Sequence, residues 1–382
     1  MSTKGKKTVW IFSLASFLHD MGSDMVFSVW PIFVTQVLGA NMTTLGFIDG
    51  LGDAIVSISQ AVSGYWSDRL RKRKIFIWLG YLFGSLSRVG YSLSTTWQWL
   101  IPFRILDRSG KMRGSPRDAI VSEVSTDKDR GANFGLLRAM DNSGAVVGVM
   151  IALLFLPVIG YRNLFFLAAF PSLLAVVLLL IFIKEAKSEK IKIYKGLNFQ
   201  NLSGNVFLFT ILSALFALGA FSYSFLLLFA KKSGFSVSMI TILYLLFTVI
   251  AAATSIYFGK LSDRIGRKNV LFLSYGFWGL VSVLFLFVHS ALGIVVAFFL
   301  YGLHKGAFDP VQRALIAELS PKEYIASTLG GFQMIVGLCA LPASLIAGYL
   351  WDRFGISSAF YFSLILTICS SSMLLFIREK NT

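Results

Sequence analysis

The sequence predicts an all-α integral membrane protein, with twelve transmembrane helices in two pseudo-symmetric six-helix bundles. Three observations carry that expectation. Hydrophobic residues make up 56% and charged residues 14% of the 382 residues, against about 45–50% and about 25% in soluble domains, and apolar runs near the ~20 residues needed to cross hydrocarbon recur along the chain. Lys and Arg crowd into alternate connections. Two separate segments repeat at a single offset of 195 residues. The alternating segments of about ten residues that a β-barrel requires are absent.

Spans are read at 9–38, 43–64, 74–93, 97–122, 131–156, 163–183, 205–230, 237–258, 269–289, 291–317, 324–349 and 356–377. The first is long for one crossing and must tilt or bend, with Pro31 as the site. The start, MSTKGKKTVW, leads directly into it, so the first helix is expected to act as its own insertion signal. Basic clusters fall at Lys4–Lys7, Arg69–Lys74, Lys128–Arg130, Lys184–Lys195, Lys260–Lys268 and Arg378–Lys380, whereas the opposite connections hold Arg162, Lys231, Lys232 and Arg353. This asymmetry places both termini in the cytoplasm and accounts for a formal charge of +16 without nucleic acid. Cys339 and Cys369 lie in apolar runs and read as packing residues. The polar segment 184–204 is expected to be a cytoplasmic linker between an N-terminal bundle (1–183) and a C-terminal bundle (205–382).

The repeat supports that division. GYWSDRLRKRK at 64–74 matches GKLSDRIGRKN at 259–269, and AIVSEVS at 119–125 matches ALIAELS at 314–320. Parallel six-helix repeats are an arrangement known among transporters. The loop G-x-x-x-D-R-x-x-R-[RK], present after the second and eighth spans, resembles the signature loop of the major facilitator superfamily. Gly64, Asp68, Arg69, Arg71 and Arg73 fill the first copy, and Gly259, Asp263, Arg264, Arg267 and Lys268 the second. DRSGKMRGSPRDA (107–119) also resembles a D-R-x-G-K-x-x-R-x-x-P-R-D-A fourth-helix element of a poorly characterised bacterial branch, with Met112 at a position that is glycine there. The resemblance implies a transporter that works by alternating access. In it, these loop residues act as a conformational latch, Gly64 and Gly259 permitting close helix approach and the Asp and Arg pairing across the boundary.

The fourth span carries the most charge. FRILDRSGKMRGSPRD (103–118) reads as a loop in isolation, but its repeat partner is apolar for a dozen residues before its first charge, so the span must include the charged stretch. At 100° per residue, Arg104, Asp107, Arg108, Lys111, Ser115 and Asp118 fall within about 100° of one another, and Arg113 and Arg117 fall on the opposite side, where they would snorkel to headgroups or line a loop. A polar stripe at this depth must face protein or a water-filled cavity.

Function is expected to follow from these charges. The carboxylates Asp20, Asp24, Asp49, Asp53 and Asp141 are the proton-coupling candidates, because close carboxylates in a dry cavity suit reversible protonation. Arg104, Arg108, Lys111 and Arg138, with His304, Lys305 and Asp309 in the second half, are the substrate-binding candidates, since Arg forks match carboxylate and phosphate. Acids and bases in the N-terminal half come close to balance. The expected activity is proton-coupled secondary transport of a small organic anion, such as a polycarboxylate or a siderophore-like chelate. Two alternatives stay open: efflux of amphiphilic drugs or metal ions, and a non-transporting membrane receptor or assembly factor. An enzyme is not expected, because no P-loop, dinucleotide fingerprint or HExxH occurs. No cofactor, resident metal or nucleic-acid partner is expected. The partners are a small-molecule substrate, protons and the bilayer, and the setting is a monomer in a bacterial inner membrane.

Overall fold

The computed structural model describes residues 3–70, 72–126, 129–183, 204–288, 290–320 and 325–379. Of the linker expected at 184–204, residues 184–203 lie outside them, as does Arg71. The described residues are helical almost throughout, and no strand occurs among them.

Helices follow the twelve expected spans. The third and fourth are Lys74–Leu93 and, in sequence, Leu100–Ser109, a 3-10 turn Gly110–Arg113, and Gly114–Val124. Arg130–Phe182 holds the fifth and sixth spans, separated at Gly160, whose φ of 74° and ψ of 172° lie outside helical space and suit glycine. The eighth to twelfth are Val237–Ile265, Arg267–Phe287, Ala291–Leu319, Ile325–Phe354 and Ile356–Leu374. Serine caps start two of them: Ser236 accepts from Met239 N–H and Ser290 from Gly293 N–H.

Two spans are interrupted. The first runs Thr3–Phe27, turns at Ser28–Val29, and resumes as Trp30–Ile32 and a π-helical turn Phe33–Val37. Pro31 has no N–H to return to Phe27, which explains the break just before it. The seventh is Gly204–Gly219 followed by Tyr223–Lys232. It was expected to be continuous. Ser222 instead accepts from Ser224 N–H and restarts the helix.

By internal contacts the chain forms two compact units, Met1–Gly39 with Ile55–Tyr194, and Ala40–Ala54 with Lys195–Thr382. The second span, Met42–Leu70, is therefore shared: its first part belongs to the second unit. There, the Asp352 carboxylate accepts from Met42 N–H, Thr43 N–H (2.8 Å) and the Thr43 hydroxyl (2.6 Å), and a side chain at Gly46 would collide with the Ser344 carbonyl.

Each unit repeats the same two contacts. Arg73 pairs with Glu123 and Arg267 with Glu318, joining the start of the third or ninth span to the end of the fourth or tenth. Lys74 donates to the Leu180 carbonyl and Lys268 to the Leu375 carbonyl. The acceptors sit at the offset of 195, while the basic residues slip by one position.

The third and fourth spans meet backbone to backbone. A Cβ on Gly80 would lie 2.5 Å from the Gly110 carbonyl, and one on Gly110 would lie 2.6 Å from the Gly80 carbonyl. Glycine here lets two main chains approach closely. Gly80→Val is expected to lower the melting temperature in detergent, by an overpacking cost of ~1–3 kcal/mol. An unchanged melting curve would contradict the contact.

Candidate functional site

Inside the first unit, charged side chains gather around the 3-10 turn of the fourth span. A 3-10 turn advances 120° per residue and an α-helix 100°, so the four residues Gly110–Arg113 turn the remainder by about 80° more than an unbroken helix would. This overturns the expected position of Arg113 and Arg117. Both are buried within the unit, at 5% and 6% exposure, and neither snorkels. Arg113 lies 3.6 Å from Asp20 and 4.8 Å from the centre of the Tyr81 ring, and donates to the Gly110 carbonyl. Arg117 donates from Nη1 to Ser16 Oγ (2.6 Å) and from Nε to Asp118 (3.0 Å), and the same Nη1 faces Asp141 at 3.7 Å. Ser16 in turn bonds Tyr81 Oη at 3.0 Å. Arg138 closes the group from a more exposed position, 3.5 Å from Asp118 and 3.2 Å from Asp141.

One turn toward the start of the span lies a cationic–aromatic cluster. The Arg104 guanidinium sits 4.9 Å from the Phe27 ring centre and 4.7 Å from that of Trp30, beside the break in the first span. Arg108 shares the Phe27 ring at 4.4 Å. Its neighbour Asp107 is 3.7 Å away and also accepts from Ser87. The Arg108 Nε is buried and has no hydrogen-bond partner. Lys111 interacts through space with Arg113, Asp20, Arg108 and Asp107, and among the described residues no carboxylate comes within ion-pair distance of it. Arg88 is wholly buried and donates to the His19 and Ala168 carbonyls and to Ser23 Oγ. It also meets His19 Nε2 at 3.4 Å, which uses His19 as a packing partner. Asp24 is half-buried one turn beyond Asp20.

The expected charge balance changes accordingly. Asp49 and Asp53 lie in Ala40–Ala54, which packs with the second unit. Inside the first unit the bases Arg88, Arg104, Arg108, Lys111, Arg113 and Arg117 then outnumber the acids Asp20, Asp24, Asp107, Asp118 and Asp141. Nor do Asp49 and Asp53 share one environment: Asp49 is 2% exposed and Asp53 is exposed.

In the second unit, Lys305 and Asp309 form the i,i+4 pair at 3.0 Å. His304 is buried among Phe216, Trp278, Tyr301 and Phe308, and bonds Ser274 through Nδ1 at 2.9 Å. Among the described residues no group of three or more His, Cys, Asp or Glu comes together, so the ligand set that metal efflux would need is not assembled there.

The signature loops are partly described. Arg69 is exposed, with Tyr65 Oη at 3.3 Å and the Trp66 ring centre at 5.8 Å. Asp263 lies 3.6 Å from Arg267, and Arg264 is exposed. The Asp68 side chain is outside the description. The glycines do not act as expected: a Cβ on Gly64 would make ordinary contact with Ser115, and one on Gly259 would meet open space.

Sequence reasoning missed Tyr81, Ser16, Phe27 and Trp30 as members of the site, and assigned Arg113 and Arg117 to the wrong face. The available signal was Gly110 and Gly114, which flank KMR and mark a departure from α-geometry.

A family model described as Major Facilitator Superfamily matches residues 12–236 and 207–382. The chain is 38% identical over 381 residues to an uncharacterised MFS-type transporter of Methanocaldococcus jannaschii, covering 97% of this chain and 95% of that protein. It is 25% identical over 391 residues to the multi-drug resistance efflux pump PmrA of Streptococcus pneumoniae, covering 95% and 96%. Among solved structures, a bacterial homologue of the human lysosomal transporter Spinster, inward-facing and occupied, superposes with a TM-score of 0.78 at 14% identity, over 99% of this chain and 97% of that one. At that identity the likeness bears on fold alone.

Replacing Arg117 with Met would leave buried carboxylate and hydroxyl partners without their cation. A destabilisation of about 3–5 kcal/mol is expected, seen as loss of the monodisperse peak in fluorescence-detected size exclusion. A wild-type profile would show that the network carries no stability.

Proposed function

Because the chain belongs to the major facilitator superfamily, we propose that it moves a small organic anion by alternating access, coupled to protons. It is a multi-pass membrane transporter and not an enzyme. The anion reading rests on one observation: inside the first unit the bases outnumber the acids, and one of them, Arg108, keeps a buried Nε without a hydrogen-bond partner, while among the described residues Lys111 has no carboxylate within ion-pair distance. A buried donor without an acceptor is costly. A carboxylate or phosphate oxygen would satisfy the Arg108 Nε and offset the excess charge, and the planar guanidinium suits such a group. Polycarboxylates and siderophore-like chelates are the substrate classes this chemistry fits. Arg104, held against two rings, fixes the cluster.

Asp20 supplies the coupling in this reading. Its carboxylate faces Arg113, and a proton placed on it removes a negative charge from a region already rich in bases. Proton and anion binding then favour each other, and linkage makes the effect reciprocal, as symport requires. Asp24 and Asp141 are further carboxylates in the same unit. The protein works as a monomer in a bacterial inner membrane with both termini in the cytoplasm, in keeping with its basic connections.

Efflux of amphiphilic compounds is the second reading, favoured by the relatives named as multidrug efflux pumps. Proteoliposomes separate the two. With the outside acidic, at least one of a panel of labelled di- and tricarboxylates is expected to accumulate, and Arg108→Gln is expected to cut uptake at least tenfold at equal protein content. Full uptake by that variant removes Arg108 from the site. Indifference to the pH gradient removes protons, and extrusion of a cationic dye without uptake of any anion selects efflux.

The signature loop acts as a latch between states. Asp68→Asn is expected to lower the transport rate while membrane abundance, read by immunoblot, stays constant. Equal rates would rule the latch out.

A further inference from the structure

The break in the seventh span frees backbone acceptors inside the membrane. A continuous helix would aim the N–H groups of Ser222, Ser224 and Phe225 at the carbonyls of Leu218, Ala220 and Phe221. Here Ser222 N–H donates to Ser344 Oγ at 3.3 Å, Ser224 N–H to Ser222 Oγ at 3.2 Å, and Phe225 N–H to the Ser222 carbonyl at 3.1 Å. The three carbonyls thus lose their helical donors at a depth where water is scarce. The first span breaks at Ser28–Val29, and the offset of 195 carries Ser28 onto Tyr223. Interruptions at corresponding positions of two repeats are the strongest bottom-up pointer to a binding site in a transporter.

The two breaks differ in sign. Beside the first stand the guanidiniums of Arg104 and Arg108. Beside the second stands Asp49, 2% exposed, whose Oδ2 accepts from the Ser222 hydroxyl at 2.8 Å and the Ser224 hydroxyl at 2.5 Å. Oxygens from the second, seventh and eleventh spans therefore meet within the second unit: the Asp49 carboxylate and the hydroxyls of Ser222, Ser224 and Ser344, at the interruption that carries the freed carbonyls.

We infer that this break binds a monovalent alkali cation, Na⁺. Hard cations take oxygen ligands, and unwound carbonyls beside a half-helix C-terminus are a recurrent way to hold Na⁺ in transporters. One carboxylate offsets one positive charge. A divalent ion would keep an uncompensated charge in a low-dielectric site, and among the described residues no cluster of acids is present to meet it. Asp53, one turn along, is exposed and interacts through space with Lys305 and Tyr301, so Asp49 is the buried carboxylate at the break. The hydroxyls that now donate to Asp49 turn their lone pairs to the ion when it enters.

The test needs no transported solute, so its failure leaves the anion reading of Arg108 standing. Full-length protein is purified in detergent, and its melting temperature is followed as NaCl replaces choline chloride at constant ionic strength. A saturable rise is expected for the wild type. Asp49→Asn abolishes the rise, and Ser224→Ala moves the half-saturating Na⁺ concentration up about tenfold; the serine variant serves should the aspartate variant not fold. Identical melting of the wild type in NaCl and choline chloride overturns the inference, as does an undiminished rise in folded Asp49→Asn.

Discussion

Six basic side chains of the third and fourth spans, Arg88, Arg104, Arg108, Lys111, Arg113 and Arg117, lie inside the first unit, and the need to neutralise them shapes what surrounds them. Each ionised group at a span centre costs about 2.5–3.5 kcal/mol on the insertion scale, and a buried cation without partners costs more. The 3-10 turn Gly110–Arg113 is the device that meets this need. By turning the helix it brings Arg113 to Asp20 and Tyr81 and Arg117 to Ser16 and Asp141. The turn itself depends on Gly80 and Gly110, whose missing side chains allow the third span close enough to receive it. Arg104 is held differently, its charge spread against the faces of Phe27 and Trp30, where cation–π attraction is strongest once water is excluded.

The two halves share a scaffold and diverge in chemistry. The ion pair to Glu123 or Glu318 and the lysine cap on the Leu180 or Leu375 carbonyl recur in both, even though the basic residues have slipped by one position. A long flexible side chain reaches the same acceptor from an adjacent site, so the contact persists without the register. At the breaks in the first and seventh spans the scaffold is again equivalent, yet one carries guanidinium groups and the other a carboxylate. The duplicated frame thus differs between its halves in which charge stands at the interruption.

Much of the frame was legible in the sequence. Hydropathy and basic clusters marked the third span at the residues where the helix Lys74–Leu93 lies, and the repeat identified the charged stretch 103–118 as membrane-spanning. Pro31 announced the bend in the first span because a missing N–H is a local property. The break in the seventh span was not legible, because neither proline nor charge marks it; it depends on Ser222 and on Ser344, more than a hundred residues away. The facing of Arg113 and Arg117 was misread for a related reason. Helical phase extrapolates only while the helix stays α, and the departure at Gly110 is stabilised by a contact with another span.

The Arg117–Asp141 contact has a consequence for how the chain enters the bilayer. Asp20 is already in place when the fourth span emerges, but Asp141 belongs to the fifth. A fourth span without the fifth would hold Arg117 against Asp118 of its own span and Ser16 of the first, but without its third partner. The fifth span brings the last carboxylate of the network.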